Sequence, residues 1–200
     1  MKVQQIVNET LTSNTYIISS DNSNSVWLID IGNIYGVLET LSLDSNINGV
    51  FLTHPHFDHI CGINKLIESF SKCIVYTSEE GKIGLASAKL NLSFYREEPI
   101  EYCRSNFHIL KEKDQIKLFN GHFLETFETP GHNWGCLTLK IDNYLFTGDS
   151  YIPGIDVVTK LKGGDREANT KSLQIIKDNI TEQTIICPGH GAMTQIANEI

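Results

Sequence analysis

The sequence has 200 residues, of which 40% are hydrophobic and 20% are charged, a composition that is typical of a globular chain and argues against disorder. Its formal net charge of −8 disfavours a role in neutralising phosphates, so nucleic acid is not an expected partner. The length predicts a single domain over residues 1–200.

The first half of the chain alternates short apolar runs with turns. The apolar runs predict strands at residues 15–18, 26–29, 49–53 and 73–76. A short helix is predicted over residues 37–41, and apolar residues at helical spacing predict a longer one over residues 60–70. The order of strand, helix and strand indicates crossover connections and therefore some parallel sheet. Residues 78–99 have no clear pattern, and we interpret them as an insertion or flap with helical pieces.

The second half favours strands from residue 107 onward. Two hairpins, one helix and one further strand are predicted, at residues 116–127, 136–146, 167–180 and 184–187. No internal repeat, low-complexity segment or proline-rich linker interrupts this order, so no domain boundary is expected.

Localisation is predicted from the N-terminus and the cysteines. Residues 1–15 lack the apolar core of a secretory signal, and no stretch has the roughly 20 apolar residues of a membrane-spanning helix. The five cysteines are odd in number and form no C-x-x-C pair, which favours reduced thiols. We therefore expect a cytoplasmic protein without a membrane partner.

The strongest chemical signal is the segment THPHFDH at residues 53–59. It places three histidines and an aspartate directly after a predicted strand, at His54, His56, Asp58 and His59. Imidazole and carboxylate are the usual nitrogen and oxygen ligands of zinc and similar ions. A polar loop that happens to be rich in histidine is the alternative. Because three of the seven histidines fall within this segment, a metal site is favoured.

Three later turns also follow predicted strands and place a histidine or aspartate beside glycine. They are the TPGH, TGD and CPGH segments that end at His132, Asp149 and His190. Small residues let the backbone turn sharply and bring the next side chain to the rim of a sheet. Each turn alone could be ordinary, but together with residues 53–59 they predict one convergent site.

In these motifs the chain resembles the metallo-β-lactamase superfamily of hydrolases, and within it the glyoxalase II-like branch. The H-x-H-x-D-H motif, the three later turns and the segments 14–16 and 28–32 carry the resemblance, which extends over residues 14–193. It implies an α/β fold, namely a four-layer αββα sandwich with two mixed β-sheets. It also implies two divalent metal ions along one edge of the sheets.

The resemblance further implies which residues hold the two ions. The first ion would be held by His54, His56 and His132. The second would be held by Asp58, His59 and His190, and Asp149 would bridge the two ions. Ligands of these types accept zinc, iron or manganese, and we favour zinc.

By the same resemblance, the chain is expected to be a metal-dependent hydrolase. A hydroxide that bridges the ions would attack the carbonyl carbon of a small thioester, ester or lactone, and a metal would stabilise the oxyanion. Asp58 is the expected catalytic residue, which orients the nucleophile or accepts its proton. Glyoxalase II enzymes add a C-terminal helical region for glutathione, whereas only ten residues follow His190 here. We therefore expect a substrate pocket built by residues 78–106 and 150–165, and the substrate and oligomeric state stay open.

Three alternatives are weighed against the hydrolase. A persulfide dioxygenase of this fold uses one iron held by two histidines and an aspartate, and the complete second ligand set weighs mildly against it. A nuclease of the superfamily would need a nucleic-acid surface, which the charge disfavours. A metal-binding protein without catalysis is least favoured, because no ligand is missing. Asp149 also differs from the thiolate ligand that some β-lactamases use.

Several residues near the motifs have no assigned chemistry. Trp134 could shape the pocket wall or pack half-buried, and Cys61 is expected to be a buried structural thiol. His108 and His122 are expected to be surface or packing residues. Asp165 is predicted to cap the helix that follows it, while substrate contact by Lys162 or Arg166 is the weaker alternative for this turn.

Overall fold

Two six-stranded sheets form the centre of the structure, a computed structural model that describes residues 1–195. The first sheet contains six strands in chain order: β1 Lys2–Val7, β2 Asn14–Ser20, β3 Ser23–Ile29, β4 Asn46–Phe51, β5 Ile74–Thr77 and β6 Phe107–Ile109. Strands β1 to β3 are antiparallel, whereas β3 to β6 are parallel. This sheet is therefore mixed.

The second sheet also keeps its strands in chain order. They are β7 Gln115–Phe119, β8 His122–Glu128, β9 Leu137–Ile141, β10 Tyr144–Gly148, β11 Ile185–Pro188 and β12 Thr194–Gln195. Its neighbouring strands are antiparallel except for the pair β10 and β11, which is parallel. Both predicted hairpins are present, as β7–β8 and β9–β10.

In the described part of the chain, five helices connect the strands. They are α1 Ile34–Thr40, α2 Phe57–Ile60, α3 Ile63–Ser69, α4 Glu79–Leu85 and α5 Arg166–Asp178. The longest, α5, is the crossover between the parallel strands β10 and β11. Asp165 caps it as predicted, because its Oδ1 accepts hydrogen bonds from Glu167 N at 2.8 Å and Ala168 N at 3.0 Å. Within residues 1–195, none of the helices has the length and hydropathy that a bilayer crossing requires.

The helices and sheets form four layers. Within residues 1–195, three clusters of buried hydrophobic side chains lie between these layers. The first packs α1 and α3 on the first sheet, through residues such as Val37, Leu66 and Val50. The second fills the space between the sheets, and the third joins α5 to the second sheet. Full burial of one such side chain contributes about 1.5–3 kcal/mol. The order of helix, sheet, sheet and helix confirms the expected αββα sandwich with two mixed sheets.

The predicted helix over residues 60–70 is corrected by the structure. The helix in this segment is α3, which begins only at Ile63, and the preceding short helix α2 ends at Ile60, so that Cys61 and Gly62 lie between the two. The Gly62 N–H donates to Ile31 O at 2.8 Å, and a Cβ at Gly62 would lie 2.9 Å from Ile34 N. The continuous helix is interrupted because the backbone must pass close to residues 31–34 here.

Strand β1 occupies a segment for which the sequence predicts no strand. Its residues alternate between exposed and partly buried, and it pairs antiparallel with β2 at the edge of the sheet. A polar edge strand of this kind has little apolar signal, because only one of its sides packs on the core.

Residues 78–99 begin with α4 and continue as turns that are fixed to the body of the protein. Asn91 Nδ2 donates to Ile100 O at 2.8 Å, and Ile100 N donates to Ser93 Oγ at the same distance. Asn91 and Ser93 are fully buried. The segment thus has ordered internal hydrogen bonds and is not a loose flap.

Candidate metal centre

The seven residues that were expected to ligate metal all lie at one edge of the two sheets. His54 and His56 follow β4, and Asp58 and His59 lie in α2. The remaining three come from the second sheet, where His132, Asp149 and His190 follow β8, β10 and β11. Strand ends from both sheets therefore converge on the same point, as the four turns in the sequence predicted.

The first ligand group consists of three buried histidines. His54, His56 and His132 each offer a ring nitrogen, and these atoms lie within 4.8 Å of one another. His56 Nδ1 and His132 Nε2 are only 2.8 Å apart. This is the set expected for the first ion.

The second ligand group is formed by Asp58, His59 and His190, whose ligand atoms also lie within 4.8 Å of one another. Asp58 Oδ2 stands 3.6 Å from His59 Nε2 and 3.3 Å from His190 Nε2. A carboxylate and two imidazoles are a donor set that zinc, iron and manganese all accept.

Asp149 lies between the two groups. Its Oδ1 is 3.5 Å from His59 Nε2, and its Oδ2 is 3.5 Å from both His132 Nε2 and His190 Nε2. One carboxylate therefore faces a histidine of the first group and two histidines of the second group. This is the position that a bridging ligand requires.

Three buried polar atoms at the centre have no hydrogen-bond partner. They are His54 Nε2, His59 Nε2 and Asp149 Oδ1. A buried polar atom without a partner costs about 1–3 kcal/mol, so three of them side by side need an explanation. Cations accept lone pairs from all three, and the donor set is therefore suited to two divalent ions.

Burial and neighbouring charges shift the pKa values of the histidines in opposite directions. Burial, followed by the neighbouring His132, lowers the pKa of His56 to about 3. Burial likewise lowers the pKa of His54 well below its usual value. For His190, burial also acts to lower the pKa, but the carboxylates of Asp149 and Asp58 outweigh it and raise it to about 9.

The two carboxylates stay ionised in this environment. Burial acts to raise the pKa of Asp149, but the positive charge on His59 outweighs it and holds this pKa well below its usual value. Burial acts in the same way on Asp58, and His190 lowers the Asp58 pKa. Ionised carboxylates are the form that binds cations.

Asp30 holds the site together and was missed as a functional residue in the sequence. Its Oδ2 accepts a hydrogen bond from His59 Nδ1 at 2.8 Å and from Thr53 Oγ1 at 2.7 Å, while its Oδ1 accepts from Thr53 N at 2.7 Å. Asp30 is almost fully buried and has a left-handed backbone, with φ of 57°. The sequence did contain a signal for this residue. In the segment IDIG, Asp30 directly follows an apolar strand and lies two residues before Gly32.

Three other ligand histidines, His54, His56 and His132, also contact a neighbour through their second ring nitrogen. His132 Nδ1 donates to Val158 O at 2.8 Å, and Thr53 Oγ1 lies 3.1 Å from His54 Nδ1. Asn133 Nδ2 lies 3.3 Å from His56 Nε2. Such partners fix the ring orientation of metal-binding histidines. Val158 brings the loop after β10 to the edge of the centre.

Gly189 allows the second-sheet ligands to approach one another. A Cβ at this position would collide with Asp149 Oδ1 and would lie 2.9 Å from His59 Cε1. The glycine in the CPGH turn is therefore required by close packing against two ligand residues.

The residues without assigned chemistry lie outside the ligand groups. Cys61 is partly buried, all five cysteines are free thiols, and Trp134 is 51% exposed. His122 Nδ1 lies 2.7 Å from Asp142 Oδ2, and the His108 ring packs at 5.1 Å from the Tyr76 ring. Within residues 1–195, none of these side chains joins a metal-binding group.

A comparison with protein families identifies this arrangement. The model of the metallo-β-lactamase superfamily matches residues 10–190, which include all seven ligand candidates. The chain belongs to the metallo-β-lactamase superfamily. Proteins of this superfamily bind divalent metal ions, and the cluster of histidines and aspartates suited to that task is present here.

Relatives within the superfamily include proteins described as hydrolases. A probable metallo-hydrolase of Streptococcus pyogenes serotype M6 is 27% identical over 213 residues, which cover 100% of this chain and 88% of the relative. The probable metallo-hydrolase YqgX of Bacillus subtilis is 30% identical over 75% of this chain and 71% of its own length. A hydroxyacylglutathione hydrolase of Hydrogenovibrio crunogenus is 26% identical over 72% of this chain, but the match spans only 48% of that enzyme.

Solved structures share the superfamily fold. The BLEG-1 B3 metallo-β-lactamase has a TM-score of 0.84 at 26% identity, and the match covers 99% of this chain and 96% of that structure. A second structure, TTHA1623 in a di-iron-bound form, has a TM-score of 0.81 at 24% identity and covers 98% and 96% of the two chains. The second likeness is evidence of the fold alone.

Proposed function

We propose that this superfamily member is a hydrolase with two divalent metal ions that cleaves the acyl bond of a small thioester, ester or lactone. The observation that carries this proposal is the set of three buried ligand atoms without partners, His54 Nε2, His59 Nε2 and Asp149 Oδ1. Two cations would satisfy all three. We further infer that residues 1–200 act as one catalytic domain on a small molecule and not on nucleic acid.

In this proposal each ion has three ligands of its own and shares one. The assignment is the first ion on His54, His56 and His132, the second on Asp58, His59 and His190, with Asp149 between them. Two such ions supply an activated water molecule and stabilise negative charge on oxygen. Zinc is favoured, with iron and manganese as the alternatives that the same donors accept.

The residues of the chain control where protons lie. With the ions bound, His59 would keep only the proton on Nδ1 for Asp30, and His132 only the one on Nδ1 for Val158 O, which leaves their Nε2 lone pairs for the ions. Asp58 has two oxygens and stays ionised, because His190 lowers its pKa. One oxygen can bind a cation while the other orients the attacking water or accepts its proton, the role of a catalytic base.

The named relatives support an acyl bond as the target. The hydroxyacylglutathione hydrolase matches over less than half of its own length, so its glutathione specificity is not carried over. A hydrolase acting on a smaller acyl compound is consistent with the probable metallo-hydrolases that match most of their length.

The proposal is tested by metal analysis combined with a substrate panel. Protein purified from its native host should contain about two divalent ions per chain by elemental analysis. It should then hydrolyse thioesters, esters or lactones, in preference to phosphodiesters and β-lactams. One iron per chain together with oxygen consumption on a persulfide would overturn the proposal in favour of a dioxygenase, and RNA cleavage would overturn it in favour of a nuclease.

A further inference from the structure

A cavity of about 380 Å³ lies between two segments that the metal centre does not use. Residues 89–95 form one side, with Lys89, Leu92, Phe94 and Tyr95, and Lys162 lines the other side from the loop after β10. The volume is within the range of about 300–1,000 Å³ that is usual for small-molecule sites. The cavity is therefore large enough for part of a substrate.

Each side of this cavity is held in place by contacts with residues that neighbour the ligands. Phe57 N, between His56 and Asp58 in the sequence, donates to Asn91 O at 2.9 Å, which fixes the 89–95 segment. On the other side, Gly163 follows Lys162 and packs so closely that a Cβ there would lie 3.0 Å from Asn133 Nδ2. Asn133 in turn contacts His56. Both lining segments are thus linked to His56, one through its neighbour Phe57 and the other through Asn133.

The cavity is open to solvent, since Phe94 is 45% and Tyr95 is 95% exposed, and its lining combines apolar side chains with two positive charges. Leu92, Phe94 and Tyr95 supply the apolar part, and the Phe94 and Tyr95 rings meet edge to face with centroids 5.0 Å apart. Among residues 1–195 no carboxylate lines the cavity, although the whole chain has a net charge of −8. Lys89 Nζ lies 5.1 Å from the Phe94 ring centre, and neither lysine forms an ion pair within residues 1–195.

We propose that this cavity binds an anionic group carried on an apolar body, and thereby selects acidic acyl compounds as substrates. The inference rests on the proposed hydrolase function and names its substrate class. Lys89 and Lys162 pair with the anion, while Phe94, Tyr95 and Leu92 contact an aromatic or aliphatic body. The bond to be cleaved then lies toward His56. Two partly exposed ion pairs give a preference of about fivefold to tenfold over a neutral analogue.

The substrate test uses two thioesters that differ only in charge. One is the S-acetyl derivative of 4-(mercaptomethyl)benzoate and the other is the corresponding carboxamide, so a methylene group insulates the thioester from the charge. Initial rates of thiol release by the metal-loaded protein give kcat/KM for each. We expect kcat/KM to be about fivefold to tenfold higher for the carboxylate.

Variants assign this preference to the two lysines. The double variant Lys89→Gln/Lys162→Gln should hydrolyse both thioesters at the rate of the carboxamide in the native protein. The control Lys171→Gln/Lys177→Gln removes the same charge from exposed positions on α5 and should keep the preference. Phe94→Ala should lower kcat/KM for both thioesters equally, since it removes contact with the shared aromatic body. An absent preference, or one that persists in the Lys89/Lys162 double variant, would overturn the proposal.

A binding measurement separates failure of this inference from failure of the hydrolase assignment. The probes are 4-ethylbenzoate and 4-ethylbenzamide, which contain no bond to cleave, titrated calorimetrically into the metal-loaded protein. The benzoate should bind more tightly, and the Lys89/Lys162 double variant should weaken it by about fivefold to tenfold. Binding that is unchanged in that variant would mean that the carboxylate sits on the metal ions, which overturns the cavity proposal. If neither thioester is hydrolysed but the benzoate shows this loss, the hydrolase assignment fails and the cavity assignment holds.

Discussion

His59 donates a hydrogen bond from Nδ1 to Asp30 Oδ2 at 2.8 Å, while its Nε2 stands 3.5 Å from Asp149 Oδ1. One ring therefore connects a buried carboxylate behind the site with the carboxylate at its centre. Because Asp30 also accepts two hydrogen bonds from Thr53, next to His54, it orients both ligand groups at once.

The first prediction concerns this carboxylate. Asp30→Asn keeps the shape of the side chain and tolerates the left-handed backbone, but it removes the charge that orients His59. Metal affinity should fall about 10–100-fold, as measured by competition with a chromophoric chelator. Asp142→Asn, which affects only the exposed pair with His122, serves as the control. Equal metal affinity in the two variants would contradict the role of Asp30.

Gly189 provides a test of packing at the centre. In Gly189→Ala the new methyl group would displace Asp149 and press on the backbone of Gly148, whose carbonyl carbon would lie 2.9 Å away. We expect loss of tight metal binding and a lowered melting temperature. Gly36→Ala, in the half-buried part of α1, would bring its methyl group near only the Cγ2 methyl group of the Ile6 side chain, at 3.1 Å, and should retain both properties. A Gly189→Ala protein that binds two ions with native affinity would exclude the close contact.

The catalytic assignment predicts different defects for two ligand residues. Asp58→Asn is isosteric and should lower kcat by about 100-fold or more, because the variant cannot accept a proton. His56→Ala should lower activity through loss of the first ion, which elemental analysis would detect. His108 lies outside the ligand groups, so the control variant His108→Ala should retain full activity. Full activity of both ligand variants with normal metal content would refute the assignment.

The cysteines should differ sharply in reactivity toward iodoacetamide. Burial raises the pKa of Cys73 and of Cys136 to about 12, so little thiolate forms at pH 8, and burial also raises the pKa of Cys187. Cys103 is exposed and should be alkylated first, followed slowly by the half-buried Cys61. Peptide mass spectrometry after brief labelling measures the order. Early labelling of Cys136 would contradict its burial, and early labelling of Cys187 would contradict the packing between the sheets.

A hydrogen bond between the two sheets should be measurable as stability. Tyr16 OH, on β2, donates to Pro188 O, on β11, at 2.7 Å in a buried environment. Tyr16→Phe should lower the free energy of unfolding by about 1 kcal/mol in urea titrations. Tyr144→Phe is the matched control, since the Tyr144 hydroxyl makes no hydrogen bond within residues 1–195. A difference of zero between the variants would show that water replaces the lost donor.

The ligand residues could be predicted from sequence because each belongs to a short local motif. Asp30 could not, because its function depends on contacts with Thr53 and His59, which lie on other elements. The interruption at Gly62 was missed for a similar reason. The spacing of apolar residues along the sequence does not indicate where another backbone segment approaches the helix. The cavity lies in the two segments, residues 78–106 and 150–165, from which a substrate pocket was expected, and Lys162 was weighed there for substrate contact. The pairing of Lys162 with Lys89 was missed, because the two lysines are far apart in the chain.

The connection between the start and the end of the chain has a consequence for folding. Asn14 N donates to Gly189 O at 2.7 Å, and Asn14 Nδ2 donates to Pro188 O at 2.9 Å across 174 residues of sequence. These bonds join the turn that presents His190 to the first sheet, in addition to the bond from Gly189 N to Gly148 O at 2.8 Å within the second sheet. During synthesis, His59 emerges from the ribosome long before His190. The nascent protein must therefore hold an unfinished group of ligands until His190 has been synthesised, and metal capture by the complete centre should follow that step.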